Sequence, residues 1–323
     1  MKNIVVTGCA GFIGSSISSE LLSLGYTVLG IDSLSSYYDI NIKRANLRYL
    51  ESFEKFHFLK KSINHLIEKD FNTHKWDLCV HLAASPGVLP SVDNAEEYHL
   101  NNVTGTSNLL KNLNEVGIKK IIFASSSSVY KDHGIGLFKE QENETSPLSP
   151  YGKTKLKGES LLAEYHKKMG FDVLILRLFS VYGPKIRPDL ALFKFANAML
   201  ENKPISIYGD GTSQRDYTNI KDVVKGMLAA IRFIGENNSI MEIINIGNGN
   251  PIRLNTLIKL LEKELQISAQ VNYIDSKKAE MQYTGANISK ARSILSYNPD
   301  IEFKRGVHEF IHWFKENRNY YGA

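Results

Sequence analysis

The chain has 323 residues, 43% of them hydrophobic and 23% charged, with a formal net charge of +5. This is the composition of a folded globular protein, and without a long block of like charges it argues against a nucleic-acid binder. Two cysteines (Cys9 and Cys79) give no disulfide framework, nine histidines form no His/Cys metal cluster, and no apolar run is long enough to span a membrane.

The opening "MKNIVVTG" enters a strand at once, with no secretory leader, so a cytoplasmic location is expected. "NIVVTG" (3–8) is followed by "FIGSSISSELLSLG", in which Ile13, Ile17, Leu21 and Leu24 recur at helical spacing. Further apolar strands are expected at 27–32, 56–59, 77–83, 119–125 and 172–178, with a helix running from "AEEYHL" to Gly117. Strands apolar on both faces and alternating with helices predict an α/β, doubly wound parallel Rossmann sheet.

Beyond residue 178 the pattern changes to helices near 189–201, 220–234, 254–265, 288–295 and 304–317, with short strands "PISIYG", "EIINIG" and "AQVNYI". The expected organisation is a nucleotide-binding domain over 1–178, completed by segments near 219–247, and a smaller, interleaved α+β substrate domain over 179–323. The polar stretch 131–150 reads as a surface loop beside the site.

Gly8, Gly11 and Gly14 stand between the first strand and the first helix. There, backbone N–H groups and the helix N-terminus suit a pyrophosphate. Asp32 ends the next strand, where a carboxylate accepts from ribose hydroxyls and repels a 2′-phosphate; this favours NAD over NADP. The competing reading is a tight turn and a helix cap. In "SPYGKTKLKGE", Tyr151 and Lys155 share a helix face four residues apart. Such a pair is either an incidental feature of a solvated helix start or a phenol tuned to act as a base.

Taken together, "TGCAGFIG", "HLAA" (81–84), "NNVTGT", "SSSSVY", "YGKTK", "RLFSVYGP" and "QRDYTNIKDV" resemble, in order and over nearly the whole chain, the nucleotide-sugar epimerases of the extended short-chain dehydrogenase/reductase family. The resemblance implies Tyr151 as catalytic base, Lys155 as its partner and Ser126 as the hydroxyl that positions substrate. It implies NAD held by Gly8, Gly11, Phe12, Ile13, Gly14, Asp32, Leu82, Ala83, Ala84, Asn102, Tyr151 and Lys155. Lowering a phenol by about three pKa units needs roughly 4 kcal/mol, which a lysine and an oxidised nicotinamide in a water-poor cleft can supply together. A homodimer is also implied.

Family dehydratases carry an Asp–Glu pair where this chain has Ser127 and Ser128, so the resemblance favours simple exchange at C4 through a transient 4-keto sugar. "SLSSYYDINIKRANLRYL" and "RPDLALFKFANAML" resemble UDP-glucuronate 4-epimerases in particular. In that subgroup Ser127, Ser128, Ser180 and Arg187 would hold the C6 carboxylate, and Arg215 the UDP diphosphate. The departures are Leu89 in place of an arginine, Lys131 after "VY", Ser62 where an adenine-contacting aspartate is usual, and Glu280 and Asn287 where aspartates are usual. Other UDP-hexose 4-epimerases, a UDP-uronate decarboxylase and a non-catalytic NAD-binding scaffold are the alternatives.

Overall fold

The computed structural model describes residues 1–132, 134–140, 145–275 and 281–318. The first half alternates β1 (Asn3–Thr7), α1 (Phe12–Ser23), β2 (Thr27–Asp32), α2 (Ile40–Glu51) and β3 (Phe56–Lys60) with β4 (Leu78–His81) and the short helices α3 (Pro90–Asp93) and α4 (Ala95–His99). A π-helical segment (Leu100–Thr104) joins α4 to α5 (Gly105–Glu115). Then come β5 (Lys120–Ser126), α6 (Pro150–Met169) and β6 (Asp172–Leu178). The second half holds β7 (Ser180–Tyr182), α7 (Ala191–Leu200), β8 (Ile205–Tyr208), β9 (Gln214–Arg215), β10 (Tyr217–Asn219), α8 (Ile220–Glu236) and β11 (Met241–Ile246). It closes with β12 (Ile252–Arg253), α9 (Leu254–Leu265), β13 (Val271–Ile274), α10 (Ser289–Leu295) and α11 (Phe303–Asn317).

Seven strands form one parallel sheet in the order β11-β6-β5-β4-β1-β2-β3. The order reverses between β1 and β4, which opens a crevice at the carboxyl ends of the strands, the usual ligand position in such sheets. Alternate residues feed two cores: Ile4, Val6, Leu174 and Leu176 lie on one face, Val5, Val173 and Ile175 on the other. The first face is covered by α1 and α8 and runs on without a break into α7, α9 and α11; the second is covered by α5 and α6. Beyond β6 the backbone also forms three two-stranded pairs, β10–β7, β12–β9 and β13–β8, which stand over the carboxyl edge of the sheet and present Ser180 and Arg215 to the crevice.

The α6 start has local causes. Ser149 accepts from the Gly152 N–H at 3.1 Å, Pro150 fills the first turn, and Gly170 closes the helix in the left-handed region. The described part of the 131–150 stretch is mostly exposed, as a surface loop should be, and departs from that at Phe138. Phe138 is buried and pairs through its backbone with Gly285 and Asn287, because its ring completes a cluster with Tyr130, Phe179 and Tyr283. Among the described residues, no helix is long and apolar enough to cross a membrane and no group of three His, Cys, Asp or Glu could hold a metal ion.

Candidate active site

One cleft of about 1390 Å³ runs from the glycine turn after β1 to Arg215 on β9. Gly8 has φ +73°, and a Cβ there would lie 2.8 Å from the Ala83 N. A Cβ on Gly14 would lie 2.0 Å from the Gly8 O, so the turn closes this tightly only with glycine. The N-terminus of α1 has no side-chain cap, which leaves its first-turn N–H groups to a ligand, and Phe12, Ile13 and Gly14 line the cleft there. Asp32 accepts from the Ala10 N–H at 3.1 Å and the Leu34 N–H at 2.8 Å. These bonds occupy one site on each oxygen and leave acceptor capacity for ribose hydroxyls. Leu82, Ala83 and Ala84 form the opposite wall. An uncapped helix start, a glycine cradle and a carboxylate at the next strand end fit a dinucleotide such as NAD.

At the reaction end, Ser126, Tyr151 and Lys155 line the same cleft. Ser126 stands beside the Tyr151 phenol and pulls its pKa down, and its Oγ meets Ser128, both N–H and Oγ, at 3.1 Å. Tyr151 is steadied from behind by its N–H to Ser91 Oγ at 3.1 Å and by the edge of Tyr98, at a ring separation of 6.3 Å. Lys155 is buried and donates to the Ala124 carbonyl at 2.9 Å, with its Nζ 5.9 Å from the Tyr151 ring centre. Burial pushes the phenol up, opposed by the Ser126 hydroxyl and the Arg187 charge. The lysine therefore does not by itself tune the tyrosine in the protein alone. Burial also lowers Lys155 to about 8, with Glu159 pulling the other way.

Farther along, Ser180, Arg187 and Arg215 line the cleft. Asp189 accepts from Arg187 Nε and Nη2, both at 2.9 Å. Burial would lower the Arg187 pKa, but this bidentate carboxylate raises it, so the guanidinium stays charged. Arg215 Nη1 donates to the Gln214 carbonyl at 3.0 Å. Ser127 is buried and Ser128 half-buried; neither lines the cleft, and Ser128 reaches it only through its contact with Ser126. Asn102 is likewise behind the wall. Its Oδ1 accepts from the Ser85 N–H at 2.7 Å, and its Nδ2 donates to the Ser85 O and Thr154 Oγ1 at 3.0 Å, so its amide braces the cleft from outside. Leu89 and Ser62 line the cleft, Lys131 is exposed outside it, and Asn287 Oδ1 accepts from the Ser289 N–H just before α10. Glu280 lies outside the described residues.

Sequence reasoning missed Lys43. Its ammonium is buried at the ribose end and donates to both oxygens of Ser35 at 2.9 Å; burial lowers its pKa while Asp32 raises it. The only signal was a lysine inside an otherwise ordinary helix. His81 was also passed over as part of a motif. Thr106 Oγ1 spends its proton on the Asn102 O at 2.7 Å, so His81 Nε2–H must donate to Thr106 at 3.0 Å and Nδ1 must accept from Thr7 Oγ1 at 2.7 Å. That chain needs a neutral ring, and burial, then the Lys155 charge, lower His81 to about 3. The unfolded state takes up this proton below about pH 6.5, so the contribution to stability falls by about 5 kcal/mol as pH drops from there toward 3. His81→Gln removes the loss: in urea unfolding, the gap between wild type and variant narrows between pH 7 and pH 4. A constant gap would refute this.

Residues 4–247 match the "NAD dependent epimerase/dehydratase family". A UDP-glucuronate 4-epimerase of Thermodesulfobacterium geofontis is 39% identical over 98% of this chain and 97% of its own. A crystal structure of the Bacillus cereus UDP-glucuronic acid 4-epimerase in complex with UDP-glucuronic acid and NAD superposes with a TM-score of 0.92 at 38% identity, covering 97% of this chain and 99% of that one. The UDP-glucose 4-epimerase of Thermotoga maritima superposes with a TM-score of 0.87 at 29% identity, over 98% and 99%. With the glycine turn, the Ser126–Tyr151–Lys155 set and a full-length match all in place, the chain belongs to the NAD-dependent epimerase/dehydratase family.

Proposed function

We propose that the protein interconverts UDP-glucuronate and UDP-galacturonate by epimerisation at C4 through a transient 4-keto sugar. The observation that carries this reading is the single cleft in which Ser126, Tyr151 and Lys155 face Ser180 and Arg187. Likeness to proteins named for this reaction supports it along the full chain. NAD, when bound, supplies the hydride acceptor and donor, and its positive ring favours the phenolate. Gly8, Gly11, Gly14, Asp32 and Lys43 would hold it.

Tyr151 Oη takes the proton of the sugar 4-hydroxyl and later returns it, while Ser126 Oγ keeps the hydroxyl in line. Lys155 offsets the charge on the phenolate. The keto sugar is a β-keto acid and loses CO₂ readily when its carboxylate can turn perpendicular to the carbonyl plane. Ser180 and Arg187 would fix that carboxylate and slow the loss; Asp189 takes the Nε and Nη2 edge of Arg187, which leaves the Nη1 donors for the ligand. Serines at 127 and 128 provide no carboxylic acid to expel a hydroxyl, which supports epimerisation over dehydration.

Incubation of the purified protein, without added NAD, with UDP-glucuronate, UDP-glucose and UDP-N-acetylglucosamine tests the reading by product NMR. UDP-galacturonate is the expected product. Release of CO₂, or turnover of the neutral sugars alone, overturns it. A homodimer through α5 and α6 is part of the same proposal, supported by Leu100, 52% exposed on that side. So is a cytoplasmic location, supported by two free buried thiols.

A further inference from the structure

Behind Lys155 lies an ion pair that the mechanism above does not use. Glu159 stands one helical turn beyond Lys155 on α6, and Arg177 reaches it from β6, the two side chains being 5% and 4% exposed. Arg177 donates from Nε to Oε1 at 3.0 Å and from Nη2 to Oε2 at 2.7 Å. Ser125 Oγ donates to the same Oε1, and Ser125 directly follows the residue whose carbonyl holds the Lys155 ammonium. Among the described residues Arg177 Nη1 is buried with no hydrogen-bond partner, and the guanidinium carbon lies 4.7 Å from the Tyr130 ring centre.

This is a costly way to fasten a helix to a sheet. Buried ion pairs give back little more than their desolvation, and an orphaned donor adds to the cost. Apolar side chains of similar size would hold α6 as well. The arrangement makes sense if its charge is what matters. The titratable and charged groups facing Lys155 are Tyr151 and Glu159 from α6, His81 from β4 and, across Glu159, Arg177 from β6 and Tyr130 beyond it. The Phe123 ring lies 5.0 Å from its Nζ. His81 is neutral and adds no charge, and Glu159 is the one carboxylate in this set.

We propose that Glu159 is a positioning residue for the reaction: fixed by Arg177 and Ser125, its carboxylate keeps Lys155 protonated and directed at the Ala124 carbonyl beside Tyr151. This rests on the role given to Lys155 above. Burial already brings Lys155 down to about 8, and Glu159 is the group that opposes it. Without Glu159 the lysine loses its proton at lower pH, and the phenolate loses its neighbouring charge.

The test follows the Lys155 Cε signal by ¹³C NMR against pH in cofactor-free protein, assigned by its disappearance in Lys155→Met. In Glu159→Gln the midpoint falls by about one pH unit or more, and the alkaline limb of kcat in the loaded enzyme moves the same way. The double variant Glu159→Gln/Arg177→Met strands no buried charge and keeps the fold, and it shows a smaller fall in the same direction, because a positive charge leaves with the carboxylate. Glu159→Asp lies between. An unchanged midpoint and limb with a lower Tm would mean that the pair only holds the fold, and would overturn the proposal. A fully active Lys155→Met would instead sink the catalytic reading of Lys155, an outcome separate from the NMR midpoint.

Discussion

Tyr151→Phe lowers kcat by about 10³-fold while the protein still purifies with its cofactor. The substitution removes one oxygen and leaves the ring, which touches Tyr98 edge-on and is carried by a backbone N–H bonded to Ser91. Nothing that braces the α6 start depends on the phenol: Ser149, Pro150 and Thr154 supply that through the backbone. The loss should therefore fall on kcat, with KM changed little, because the proton acceptor is needed in the transition state and not for binding. Burial pushes the phenol up in the protein alone, so the cofactor charge and Lys155 have to bring it back. Cofactor absorbance and single-turnover kinetics on the variant check both halves. Turnover within tenfold of wild type would remove Tyr151 from the mechanism.

Gly14→Ala abolishes cofactor retention and destabilises the fold by about 3 kcal/mol or more. The new methyl carbon would sit 2.0 Å from the Gly8 O and 2.7 Å from the Gly8 C, both backbone atoms that cannot rotate aside. The turn must open, and it is built from the Gly8 N–H to the Ile31 O at 2.7 Å and the Gly11 N–H to the Gly8 O at 3.1 Å. Opening it also pulls the first N–H groups of α1 out of the cleft. The ratio of absorbance at 260 and 280 nm after gel filtration reads the first effect, and a thermal melt the second. A variant that keeps its cofactor and melts within a degree or two of wild type would contradict the packing described here.

The large sheet was readable because its strands are apolar on both faces: "DVLILRL" became β6 with the expected bounds. Helices α8, α9 and α11 were readable from their one-sided apolar spacing. What escaped has physical reasons. Helix α2 buries Lys43 and Asn46 beside Ile42, Leu47 and Leu50, so its apolar stripe is interrupted by a lysine that lines the cleft and an amide that donates to the Ala10 carbonyl. The π segment at Leu100–Thr104 shifts the phase of a helix without breaking it, and it carries Asn102 inward to Ser85 and Thr154. Strands of two or three residues such as β7, β9 and β12 are too short to show any period.

In the site itself, Tyr151, Lys155 and Asp32 stand out because local spacing places them, whereas Ser126 came only through the family resemblance. The partners that tune them come from afar in the chain. His81 meets Thr7 across 74 positions, and Arg177 meets Glu159 across the gap between a helix and a strand. Glu159 alone left a trace, four residues after Lys155 on the same helix face. The serines at 127 and 128 show the opposite case: the family resemblance placed them beside the substrate, but in the turn after β5 neither lines the cleft wall.

The central claim is that one hydrogen leaves C4 of a uronate and returns to the opposite side without reaching solvent. UDP-glucuronate carrying deuterium at C4, incubated in ordinary water with protein to which no NAD has been added, measures this directly. The account predicts UDP-galacturonate with the deuterium still on C4 and the carboxylate intact. Label lost to water, or label kept in a pentose formed with loss of CO₂, would contradict it.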